Sequence, residues 1–150
     1  MKHNISARGI LERNNKILFA EYKDTRGILY ALPGGSQNTG EDLRSTLKRE
    51  FKEETNLDIE SHEVVIVREF IIDSSEFDVW KNGIHQVEII FRCTQKNKEQ
   101  AAVPGELQDQ GMLGIRWISN EEMKFLRIYP ANNLYDILKS KEITYLFDKE

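Results

Sequence analysis

The stretch from Leu43 to Thr55 constrains the fold most, because it reads as an amphipathic helix with carboxylates set into its apolar face. At about 100° per residue, with Leu43 at zero, Leu47 falls at ~40° and Phe51 at ~80°. That stripe faces a core. Glu54 falls at ~20° and Glu50 at ~−20°, within or beside the stripe, and Glu53 at ~−80° on its flank. Arg44, Lys48 and Lys52 take the far side, where solvated charges belong. A purely structural helix would place leucine where these glutamates stand.

Burying ionised carboxylates without partners costs several kcal/mol each. They also lie near the helix C-terminus, the wrong end for negative charge. Glu50 and Glu54, four residues apart, repel each other. A hard divalent cation would relieve all three costs, and oxygen-only ligands favour Mg²⁺ or Mn²⁺ over Zn²⁺. The competing reading is a solvated acidic helix paired with its own lysines and arginines. The preceding segment weighs against it. Residues 28–32 form a short apolar run into Pro33-Gly34-Gly35. Proline makes Leu32 extended, and the glycines open conformations closed to other residues. A strand therefore ends in a specialised loop just before the helix.

The other segments supply mostly strands. Residues 4–12 and 16–23 read as antiparallel strands around Asn14-Asn15. Thr39-Gly40-Glu41-Asp42 opens the helix, and Asn56 is a left-handed stop. Residues 57–72 are apolar and β-branched, one or two strands. Trp80-Lys81-Asn82-Gly83 carries a hairpin signal, and residues 85–94 return. Residues 95–111 are polar, contain Pro104-Gly105 and lack periodicity, so they form a long loop of the kind that often carries function. Residues 112–118 make a further strand. Ser119-Asn120-Glu121-Glu122 is a capping box opening a short helix, and residues 131–139 form a last helix after Pro130. This order gives one α+β domain over 1–150 with a mixed sheet.

Gly35, Glu41, Arg49, Glu50, Phe51, Glu53, Glu54 and Leu57 stand at the spacing G-x5-E-x7-R-E-U-x-E-E-x-G-U, where U is bulky and apolar. This resembles the Nudix box, the signature of the Nudix hydrolase family (MutT-like). It spans 23 of the 150 residues. One position departs: Asn56 stands where the family has glycine, and asparagine is the next-best left-handed stop.

The resemblance implies a Nudix fold, a mixed β-sheet sandwiched between helices. It implies hydrolysis, at the pyrophosphate, of a nucleoside diphosphate linked to another moiety, with Mg²⁺ or Mn²⁺ as cofactor. Glu50, Glu53 and Glu54 would be the metal ligands, with Glu50 alternatively the general base. Arg49 would orient the glutamates. Glu41 would be an accessory ligand or structural partner. Gly34 and Gly35 would let the backbone approach the substrate. An acid from the loop before residue 112 often joins such sites: Glu106 is preferred, then Asp109, then Glu99. The alternative is a catalytically silent Nudix-fold module that binds a nucleotide or a protein; this chain retains every box glutamate. No proline or tyrosine substrate marker occurs in residues 71–76, so nucleotide sugars, ADP-ribose-like compounds and nucleoside triphosphates stay open. A homodimer also stays open.

Composition narrows the partners. At 39% hydrophobic and 31% charged, the chain is globular. No apolar run nears the ~20 residues of a membrane span, and the first six residues lack a signal-peptide core, so a cytoplasmic location is expected. The one cysteine, Cys93, permits no internal disulfide and reads as a buried strand residue. A net charge of −4 offers no broad surface for long nucleic acid or an RNA end. A small polyanionic substrate remains compatible, because a metal ion can bridge acidic protein and acidic ligand. His3, His62 and His85 make no ligand spacing. Trp117 reads as core; Phe19, Tyr22, Tyr30 and Trp80 are weaker candidates for stacking on a base, as Lys23 and Arg26 are for meeting a phosphate.

Overall fold

The structure, a computed structural model, describes residues 1–73, 82–105 and 111–149. Its elements run β1 (Lys2–Arg13), β2 (Lys16–Asp24), β3 (Gly27–Ala31), β4 (Gly34–Ser36), α1 (Leu43–Thr55), β5 (Ile59–Ile72), β6 (Ile84–Gln95), β7 (Met112–Ser119), α2 (Asn120–Met123), β8 (Ile128–Tyr129), α3 (Leu134–Lys139) and β9 (Thr144–Lys149). Asn14 and Asn15 both have positive φ, 52° and 60°. Such a turn matches the twist of the flanking strands, and it joins β1 to antiparallel β2.

The strand order is β8-β3-β2-β1-β6-β5-β9, with β4 added to β1 and β7 to β2. β1 runs parallel to β6, whereas β5 and β6 are antiparallel, so the sheet is mixed. Side chains alternate across it. Ile10, Ile17, Phe19, Ile66, Ile90 and Ile118 join Met123 of α2 and Leu134 and Ile137 of α3 in one core. Ala7, Leu11, Leu18, Phe91 and Cys93 join Leu47 and Phe51 of α1 in the other. The sheet thus lies between α1 and the α2–α3 pair, as the resemblance implied. α1 sits close over β1: a Cβ on Gly9 would lie 2.7 Å from the Phe51 ring.

Three elements differ from expectation. The last helix starts at Leu134 rather than residue 131, because Ile128 and Tyr129 pair as strand β8 with β3. The specialised loop after Pro33 contains strand β4. The strand β9 was not expected. Its outward Tyr145 and Phe147 and inward Leu146 are all apolar, so it lacks the polar–apolar alternation that marks a strand. Trp80 and Lys81 of the hairpin signal lie outside the described residues, as do positions 74–76 of the marker window.

Candidate active site

The site begins with two glycines pressed between a strand and a helix. β4 pairs with β1, Arg8 opposite Gly34 and Ala7 opposite Gly35. Gly34 has φ 147°, and a Cβ there would lie 2.6 Å from the Arg8 Cα. A Cβ on Gly35 would lie 2.6 Å from Glu50 Oε1. Glycine is therefore what allows the carboxylate to reach the β4 backbone. On α1, Glu54 is fully buried and Glu50 is 7% exposed. Glu53 is half-buried, and Arg44, Lys48 and Lys52 are exposed. The helix is capped by Asp42, which accepts from Ser45 N at 2.9 Å, and by Asn56 at φ 61°.

Arg49 ties the cluster together. Its Nε and Nη2 donate to the two oxygens of Glu41 at 2.9 and 3.0 Å. Its Nη1 donates to Glu50 at 2.9 Å and Glu53 at 3.4 Å, and its Nη2 to the Ser36 carbonyl at 3.1 Å. Thr46 Oγ1 donates a further bond to Glu41 at 2.7 Å. These donors hold the Glu41 carboxyl down at about 2. Glu54 accepts instead from the Gly34 N–H, at 3.2 Å.

Four carboxylates thus gather on one strand edge, with one guanidinium bonded to three of them. Their donors are all hard oxygens, which suits Mg²⁺ or Mn²⁺. As they stand, Glu50 and Glu53 turn toward Arg49, and among the described residues no three acid, histidine or cysteine side chains converge closely enough to hold an ion.

The loop after β6 closes the helix end. Val103 N donates to the Thr55 carbonyl and Gly105 N to the Glu54 carbonyl, both at 3.0 Å. Gln100 Nε2 donates to the Asn56 carbonyl at 2.9 Å. Carbonyls that α1 cannot satisfy internally are met this way. The chain therefore reaches the glutamate-bearing turn one residue before Glu106. Glu106 and Asp109 lie outside the described residues; Glu99 is on the exposed part of the loop.

Sequence reasoning missed a second charged cluster, on the sheet beside β4. Arg8 pairs with the buried Glu88 and donates to the Leu32 carbonyl at 2.7 Å. Arg68 Nη1 donates to Glu88 at 2.9 Å and its Nε to Asp148 at 3.3 Å. Gln86 Nε2 donates to Glu88 and to Ser6 Oγ, each at 3.2 Å. Burial pushes the Glu88 carboxyl up, but Arg8 and Arg68 outweigh it and hold it below the usual range. Arg8 also feels the charge of Glu54. The available signal was a glutamate inside the apolar run of β6.

The remaining candidates separate. Phe19 and Tyr30 are core, and Trp117 packs in the α1-side core, so the first two cannot stack on a base. Tyr22 is half-buried, Arg26 sits near Asp24, and Trp80 lies outside the described residues. His3 and His85, distant in sequence, meet edge-on at 4.9 Å, while His62 bonds Thr94. Cys93 is buried, and burial pushes its thiol up to about 12, which makes it inert.

A buried acidic helix face under a Pro-Gly-Gly loop, on a mixed sheet between helices, defines a hydrolase of the Nudix type. The sequence matches the NUDIX domain over residues 2–138, and the chain belongs to that family. The nucleoside triphosphatase NudI of Enterobacter sp. (strain 638) is 27% identical over 130 residues, covering 83% of this chain and 88% of its own. Among solved structures, the mutator MutT protein of Bacillus halodurans has a TM-score of 0.66 at 20% identity, covering 97% of this chain and 89% of that one. An ADP-ribose pyrophosphatase from Streptococcus suis 89-1591 has a TM-score of 0.61 at 18% identity, covering 97% and 98%. These two structures share the fold with this chain.

Proposed function

We propose that this Nudix hydrolase is a metal-dependent pyrophosphohydrolase, one domain over 1–150, acting in the cytoplasm on a nucleoside diphosphate linked to another moiety. The observation that carries this reading is the gathering of Glu41, Glu50 and Glu53 around Arg49, with Glu54 bonded to the β4 backbone at Gly34. So much buried negative charge calls for a cation. Glu50, Glu53 and Glu54 would hold Mg²⁺ or Mn²⁺. When bound, such an ion neutralises phosphate oxygens, positions the attacking water and lowers its pKa.

The protein's own groups do the rest. Glu50 is held by Arg49 at the Gly35 backbone, in place either to ligate or to take the water's proton. Arg49 fixes the carboxylates' spacing. Gly34 and Gly35 would let the substrate approach the backbone, and Glu106, outside the described residues, would supply a further acid. The name of the NudI relative supports nucleoside triphosphates as the first substrates to assay, ahead of nucleotide sugars and ADP-ribose-like compounds. The test is to incubate purified protein with each class and Mg²⁺ or Mn²⁺, and to follow phosphate-containing products. Turnover that vanishes on chelation is expected. No turnover of any class with either ion would remove the reading.

A further inference from the structure

Strand β9 ends the strand path, with β5 on one side and no other strand beside it among the described residues. Along any strand, alternate residues aim their N–H and C=O groups at one neighbour and the rest away from it. β9 therefore carries a row of peptide groups pointing off the sheet. Edge strands are normally blunted by brevity, charge, proline or a bulge. β8, at the other end of the path, is two residues long. β9 has six residues and no proline. Its charges lie at its end, and Asp148 is already engaged by Arg68. Tyr145 and Phe147, on one face, are 60% and 51% exposed, and Ile143 just before them is 59% exposed.

We propose that a second copy of this chain pairs with β9, antiparallel, about a two-fold axis at Leu146, so that the sheet continues across a homodimer. The sequence of β9 selects this register. A two-fold axis perpendicular to the sheet keeps equivalent faces together, so only residues of equal parity oppose each other. With Leu146 opposite itself, Tyr145 faces the second copy's Phe147 twice over, and Thr144 faces Asp148. Cross-strand aromatic pairs stabilise such ladders. With Tyr145 opposite itself, only Thr144, Tyr145 and Leu146 of each β9 would pair, because the strand begins at Thr144. With Phe147 opposite itself, one Phe147–Phe147 pair replaces the two Tyr145–Phe147 pairs, and Tyr145 faces Lys149. A single strand edge buries less than a standard interface, so the dimer forms with micromolar rather than nanomolar affinity.

Sedimentation velocity on the full chain, from about 5 to about 500 µM, tests this by mass action. The sedimentation coefficient rises with concentration, and Phe147→Lys weakens association at least ~10-fold without loss of hydrolytic activity. A chain that stays monomeric throughout, or a folded Phe147→Lys chain that dimerises normally, overturns the proposal. Register is tested separately, which also covers a Phe147→Lys chain that fails to fold. Opposed residues here are close enough for a disulfide, and Cys93 is buried and does not compete. Under mild oxidation, the double variant Tyr145→Cys with Phe147→Cys forms a covalent dimer and neither single variant does. Cross-linking of Tyr145→Cys alone, or none with the pair, overturns it.

Discussion

Glu54→Gln preserves the side chain's shape and its hydrogen bond from Gly34 while removing one negative charge. Neutral amides are cheaper to bury than carboxylates, so the variant should melt no lower than the wild type. Its kcat should fall at least ~100-fold, the cost of removing a group that acts on developing charge. Full activity in Glu54→Gln would show that this carboxylate does not serve the reaction. The glycines separate chemistry from folding. In Gly35→Ala the new methyl meets the Glu50 carboxylate, the far end of a flexible side chain. The fold should survive, and kcat should drop by roughly 100-fold because the carboxylate is displaced. In Gly34→Ala the obstruction is the β1 backbone, at a φ that alanine rarely adopts. That variant should lose about 3 kcal/mol or more of stability, read by thermal melting. Equal stability of the two alanine variants would contradict the geometry.

The C-terminal turn of α1 depends on a loop that the sequence presents only as polar and aperiodic. A Cβ on Gly105 would lie 2.6 Å from the Glu53 carbonyl carbon. Gly105→Ala should therefore lift residues 103–105 off the helix, exposing the Glu54 and Thr55 carbonyls that they now satisfy. The expected cost is about 2–3 kcal/mol, with faster amide exchange confined to the last turn of α1 and that loop. An unchanged exchange pattern would show that the loop does not hold the helix end. The contrast explains what was legible in the chain. The buried face of α1, its start near residues 39–42, its Asn56 stop and the Arg49–glutamate spacing are local, set by 3.6-residue periodicity and short-range hydrogen bonding. The closure of α1 by Val103 and Gly105 joins segments about 50 residues apart, and no periodicity announces it. The pairing of Arg8 with Glu88 is hidden in the same way, because strand register sets it rather than either strand's own pattern. β9 escaped notice because its consecutive Tyr145, Leu146 and Phe147 put large hydrophobic side chains on both faces.

Arg8, Glu88, Arg68 and Asp148 link β1, β6, β5 and β9 in one line of charge across the sheet, next to the strand that carries Gly34 and Gly35. Burial makes this line matter more than exposed ion pairs such as Arg92–Glu63. Glu88→Gln keeps the volume but leaves two buried guanidinium groups without the shared carboxylate. Removing one partner of a buried network typically costs about 3–5 kcal/mol. The pH dependence follows from the direction of the shift. Arg8 and Arg68 hold the folded Glu88 carboxyl below its ordinary value of 4.5. Its contribution is therefore complete above that value and is lost as pH falls through the depressed one. The gap in melting temperature between wild type and Glu88→Gln should be constant from neutral pH down to about 5 and should narrow below about 4.5 as the wild-type carboxyl takes up its proton. A gap that widens in acid, or is absent at neutral pH, would mean that Arg8 and Arg68 do not depend on Glu88. Because Arg8 also grips the Leu32 carbonyl just before the glycines, the loss should reach the site. Glu88→Gln should lower kcat even where the protein remains folded, whereas Glu63→Gln, on an exposed pair, should change neither melting nor turnover.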